Sequence, residues 1–170
     1  QFRGPGGLAT APEGARIPLV WGDKENLKWK TAMPGPGSSS PVFTGKRLFV
    51  TCYTGYGTSR EEVGSARDLG RMLVCLDRSD GRVLWKKSID LANPEDPYRG
   101  YLMEHGYASS TPATDGKNVF VFTGKSGLHA FTVEGKLRWS KLVGDRSSNR
   151  RWGSAASPVL YRNLVIINAA

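Results

Sequence analysis

The sequence predicts an all-β fold of short antiparallel strands, and three observations carry that reading. A hairpin pattern occurs twice, at residues 73–87 and 128–141, each time with a glycine four residues before a tryptophan: Gly81 and Trp85, then Gly135 and Trp139. Glycine (21) and proline (10) are frequent in a chain of 170 residues, which suits many tight turns. No window shows sustained apolar spacing of three and four residues, so almost no α-helix is expected.

Residues 1–37 read as an extended N-terminal segment with one closing strand. The first 20 are rich in Gly and Pro and have no period, whereas Asn26-Leu27-Lys28-Trp29-Lys30 resembles the outer half of the hairpin without its inner strand. Three copies of a strand pair follow. Ser38-Ser39-Ser40-Pro41-Val42 precedes Leu48-Phe49-Val50; Ser109-Ser110-Thr111-Pro112-Ala113 precedes Val119-Phe120-Val121; Ala155-Ala156-Ser157-Pro158-Val159 precedes Leu164-Val165-Ile166-Ile167. Small residues ending in Ser/Thr-Pro suit a strand beside a crowded axis, with proline at its end or at an unpaired ladder position. The apolar run after each suits a strand buried on both faces. In the hairpin, Gly81 is placed to take φ > 0 where the chain reverses, and Asp77 to cap the turn by accepting backbone N–H groups.

Joined in order, these pieces give a four-stranded unit. Residues 38–90 form the first, with an insertion at 54–70; residues 91–107 are a connector; residues 108–145 form the second. Residues 146–170 begin a third and stop after two strands. Four-stranded antiparallel units in series are the blades of a β-propeller, which closes with at least four. A partial propeller is therefore expected, with the remaining blades missing from this chain and open edges exposed to pairing.

Charge and special residues narrow the functions. Lys and Arg outnumber Asp and Glu by 24 to 15, giving a formal +9, but the positive charges are scattered and no aromatic-studded basic module is visible. Nucleic acid is not an expected partner. No apolar stretch exceeds strand length, so no transmembrane segment is expected, and no signal peptide is visible. Cys52 and Cys75 fall in apolar runs of one unit and suit either a disulfide or two buried thiols. His129 alternates with apolar neighbours and is expected to be exposed on a blade face. Neither it nor His105 has a Cys or His partner at metal-ligand spacing, and Asp77, Ser79 and Asp80 lack the spacing of a calcium loop. Nucleophile-elbow and phosphate-loop patterns are absent, so no catalytic or metal-binding residue is assigned.

In a propeller the loop entering each innermost strand lies on one face, beside the central channel. Aligning Pro112 with Pro158 sets Glu104 opposite Arg150 and His105 opposite Arg151. The loops 98–107 and 148–152 make Glu104, His105, Asn149, Arg150, Arg151 and Trp152 the candidate ligand-binding residues, with arginines able to grip a carboxylate or phosphate. The competing reading is a set of inter-blade salt bridges and aromatic packing that fixes two long loops. It is favoured, because loops of this composition need internal partners.

The stretch Cys75-Leu76-Asp77-Arg78-Ser79-Asp80-Gly81-Arg82-Val83-Leu84-Trp85 resembles the repeat of the pyrroloquinoline-quinone (PQQ)-like β-propellers, Ala-x-Asp-x-x-x-Gly-x-x-x-Trp. Cys75 stands in place of the Ala. The second copy keeps Ala130, Gly135 and Trp139, with a turn one residue shorter and Thr132 in place of Asp. The opening Gln1-Phe2-Arg3-Gly4-Pro5 and the Ser-Ser-x-Pro starts resemble exported bacterial members. The resemblance implies that Trp85 and Trp139 dock between blades as staples, each indole contributing about 2–3 kcal/mol. It also implies a periplasmic or extracellular scaffold for a protein partner or a small polar or anionic ligand. Family members that are dehydrogenases oxidise an alcohol or sugar with PQQ and calcium, using adjacent cysteines, a stacking Trp and acidic or amide calcium ligands. Cys52 and Cys75 are not adjacent and no calcium set maps onto the sequence, so PQQ and Ca²⁺ belong to an alternative reading. A carbohydrate-binding surface on residues 98–107 and Trp152 is a second alternative. The repeat is specific for fold, not activity.

Overall fold

A computed structural model describes residues 1–4, 7–147 and 149–169; Pro5, Ser148 and Ala170, which figure in the motifs above, lie outside the described residues. Both complete units are four-stranded antiparallel meanders. The first runs β1 (Val42–Thr44), β2 (Arg47–Thr54), β3 (Gly70–Asp77) and β4 (Val83–Ile89). The second runs β5 (Ala113–Thr114), β6 (Asn118–Phe122), β7 (Leu128–Thr132) and β8 (Leu137–Lys141). A third sheet pairs β9 (Val159–Tyr161) with β10 (Leu164–Ile166). The short inner strands adjoin, β1 beside β5 and β5 beside β9, so the sheets fan outward from a common line. Among the described residues the one α-helical stretch is a single turn, α1 (Leu102–His105).

The stacking of sheets explains the apolar runs. Phe49, Leu73 and Cys75 on one face of the first blade pack against Val119, Val121 and Phe131 of the second. Cys52, Val74 and Leu76 on the other face pack against Trp29 and Met33. With both faces covered, the strands lose the alternation of a half-exposed sheet. The register sets Cys75 opposite Phe49 and Cys52 opposite Met72. Those positions point to opposite faces, so the two cysteines are free buried thiols and the disulfide alternative falls. Burial raises both thiols, Cys75 to about 11.

The Gly/Trp spacing turns out to be a lock between blades. Gly135 sits at φ +89°, and a Cβ there would lie 2.9 Å from the Trp85 ring, so only glycine gives the indole its seat. Trp85 Nε1 donates to Val133 O at 3.2 Å. Trp29 repeats the arrangement one blade earlier, lying on Gly81 and donating to Arg78 O at 3.1 Å. The turn caps are equivalent too. Asp77 Oδ1 accepts from the Ser79 N–H at 2.7 Å, while Thr132 Oγ1 accepts from the Glu134 and Lys136 N–H groups at 3.3 Å.

Three expectations need correction, and the staple expected of Trp139 finds no seat among the described residues. The small-residue segments are not strands; each inner strand begins after its proline. They are used crosswise instead: Ser40 N–H donates to Thr111 Oγ1 at 2.9 Å, and Thr111 N–H donates to Ser157 Oγ at 3.0 Å. The residue before each proline thus links one blade to the next. The closing strand at 26–30 does not form, since nothing among the described residues offers it a ladder partner; only its Trp29 docks. His129 is buried, not exposed, because its blade face is the inter-blade seam. Trp139 makes no inter-blade staple among the described residues; it packs on Phe120 of its own blade at 6.0 Å between centroids and is 37% exposed.

Candidate functional site

The loop face is built on an aromatic cluster. The insertion between β2 and β3 folds over the connector, bringing Tyr53 and Tyr56 against Tyr98 and Tyr107, with Leu102 of α1 buried beneath. The Tyr53–Tyr107 and Tyr56–Tyr107 centroids are 5.5 and 5.7 Å apart. The buried hydroxyls find partners as the rings lose water: Tyr53 donates to Gly57 O at 2.8 Å, and Tyr107 to Asp96 O at 2.7 Å. The Tyr98 N–H donates to Tyr56 Oη at 2.9 Å. Burial raises the phenols of Tyr53 and Tyr107.

Beneath the cluster lies a polar seam. Arg71, near the start of β3, is buried; its Nε donates to Tyr107 O at 3.1 Å and its Nη1 to Thr123 O at 2.7 Å. Its Nη2 lies 2.8 Å from Glu95 Oε1, off the hydrogen-bond direction, so that contact is one of charge. The next residue, Asp96, accepts from Lys125 Nζ at 3.0 Å and from the Ser147 hydroxyl. Two neighbouring acids of the connector are thereby pinned by basic side chains from two blades. Sequence reasoning missed this group. Its one signal is an arginine heading an otherwise apolar strand.

The candidate residues divide in two. Glu104 pairs with Arg60 of the insertion at 2.8 Å, not with Arg150, and both partners are exposed. His105 Nε2 lies 2.8 Å from Trp152 O; a carbonyl only accepts, so Nε2 carries a proton. Its Nδ1 is 2.7 Å from Ser109 Oγ, the equivalent link to its own blade. The Trp152 ring meets Tyr101 at 4.5 Å and carries the Arg150 guanidinium at 4.7 Å. His105 therefore meets Trp152, one residue beyond the Arg151 to which the proline alignment matched it. Asn149 and Arg151 are exposed and line a separate depression of about 590 Å³ with Lys125, Asp145 and Arg146.

Meandering four-stranded sheets, adjoining inner strands and a tryptophan lock seated on the next blade's glycine define a PQQ-like β-propeller. The family model described as outer membrane protein assembly factor BamB matches residues 27–170, and the chain belongs to that family. Among solved structures, BamB from Moraxella catarrhalis is similar over 82% of this chain and 36% of that chain, at 14% identity and a TM-score of 0.56. This chain thus spans about a third of that protein's length, and at that identity the likeness is one of fold. No curated protein sequence matches.

No helix among the described residues is long and apolar enough to cross a membrane. Nor do they bring three or more His, Cys, Asp or Glu side chains together as metal ligands.

Proposed function

We propose that this chain is part of a non-catalytic propeller scaffold that binds a protein partner outside the cytoplasm. One observation carries the reading. Polar side chains near the loop face are tied down internally, through the Arg71–Glu95 and Lys125–Asp96 ion pairs and the hydrogen bond from His105 to Trp152 O, and so build a rigid platform with Arg150, Trp152 and Glu104 on its surface. The description of the family as an outer membrane protein assembly factor fits such a role and favours the periplasm. A photo-crosslinking amino acid at Arg151 in the native host should trap one defined protein. Dye-linked oxidation of an alcohol or sugar after loading with PQQ and Ca²⁺ would overturn the scaffold in favour of a dehydrogenase.

The exposed Tyr101–Trp152 pair favours a carbohydrate-binding surface as second reading, since paired aromatic faces suit sugar rings. Binding on a glycan array, lost in Trp152→Ala, would select it.

A further inference from the structure

The seam between the two complete blades is held at both ends and open between them. Trp85 seals it beside the turn at Gly135. At the far end, the Ala92 N–H donates to Ser126 Oγ at 3.2 Å. Between these points the side chains thin out. Lys87 and Ile89 of β4 face Phe131 and His129 of β7 and Leu137 and Ser140 of β8 across a cleft of about 640 Å³. That volume falls within the range of ligand sites, about 300–1,000 Å³.

The cleft has an apolar floor and a basic mouth. Ile89 and Phe131 are buried, and Leu137, 51% exposed, offers apolar surface at the opening. His129 completes the floor, its two ring nitrogens 2.9 Å from Ser140 Oγ and 3.0 Å from Thr123 Oγ1. Lys87 and Lys136 stand at the mouth against a single acid, Asp90. Both flanking strands, β4 and β8, are sheet edges, and every residue of β8 is exposed. Edge lysines commonly serve to block strand pairing. A guard of that kind needs no apolar hollow behind it, and here the lysines flank one.

We propose that this cleft docks an extended acidic segment of a partner protein. An apolar side chain of the segment would seat among Ile89, Phe131 and Leu137, its carboxylates would meet Lys87 and Lys136, and its backbone would run along the free edge of β8. The inference rests on the scaffold reading and adds to it the surface used and the chemistry of the partner.

Fluorescence anisotropy of a short labelled peptide alternating aspartate with leucine, titrated with the full-length protein, tests it. Binding is expected, with none for the same peptide carrying lysine in place of aspartate. The variant Lys136→Glu should weaken binding about three-fold or more, an exposed ion pair being lost and reversed. Leu137→Ser should weaken it independently of salt. Both positions are exposed, so an unchanged melting curve separates lost binding from lost fold. Equal affinity for both peptides, or undiminished affinity in the variants, overturns the proposal. If the peptide fails to bind while the Arg151 crosslink still traps a partner, the cleft is excluded and the scaffold stands. If neither gives a partner, the scaffold itself fails.

Discussion

Trp85 and Trp139 occupy the same place in the sequence repeat, yet they do different work. Trp85 crosses a blade boundary, rests on Gly135 and donates to Val133 O. Among the described residues Trp139 packs within its own blade and stays partly exposed. A repeat position therefore supplies the means of docking, and a neighbouring turn must supply the seat. The same contrast separates the two halves of the first seam. Its apolar half is made by repeated residues; its polar half, around Arg71, is made by residues that occur once.

Replacing Trp85 by alanine should cost about 3–5 kcal/mol in denaturant unfolding, and replacing Trp139 in this chain about half as much. Equal losses would mean that Trp139 has a docking seat beyond the described residues. In the polar half, Arg71→Met should cost a comparable ~3–5 kcal/mol by leaving Glu95 buried and charged. The double change Arg71→Met/Glu95→Leu should recover most of it. If the single and double variants are equally unstable, the pair is not coupled as the geometry implies.

Gly135→Ala should come next, at about 1–3 kcal/mol, through strain at positive φ and displacement of the Trp85 ring. Beyond that, thermal melts should show a mild acid sensitivity traceable to His129. Burial, helped by the charge of Arg71, holds its imidazole below the ordinary 6.5, so the native state favours the neutral ring. The unfolded chain then binds the proton first. Stability is fully present above pH 6.5 and falls as pH drops from there toward the lower native value. His129→Gln should flatten that slope; an unchanged slope assigns the sensitivity elsewhere. The smallest effect belongs to Ser110, whose buried hydroxyl has no hydrogen-bond partner among the described residues. Ser110→Ala should be neutral or stabilising by a few tenths of a kcal/mol, because it removes a desolvated polar group that gains nothing in return.

The fold was written in local chemistry. Positive φ at Gly81 and Gly135 and the caps at Asp77 and Thr132 each act within a few residues, so a linear reading finds the hairpins they close. The links that join blades were hidden by distance along the chain. Ser40 reaches Thr111, Arg71 reaches Glu95 and Thr123, and His105 reaches Trp152 only because stacked sheets bring far-separated residues within hydrogen-bond range. His129 shows the limit most clearly: alternation placed it on a face, but whether that face met water or another blade depended on how the sheets packed. Pairing within a hairpin is an interaction between neighbours in sequence. Burial, charge pairing and the open cleft beside β8 belong to surfaces that exist only once the blades have met.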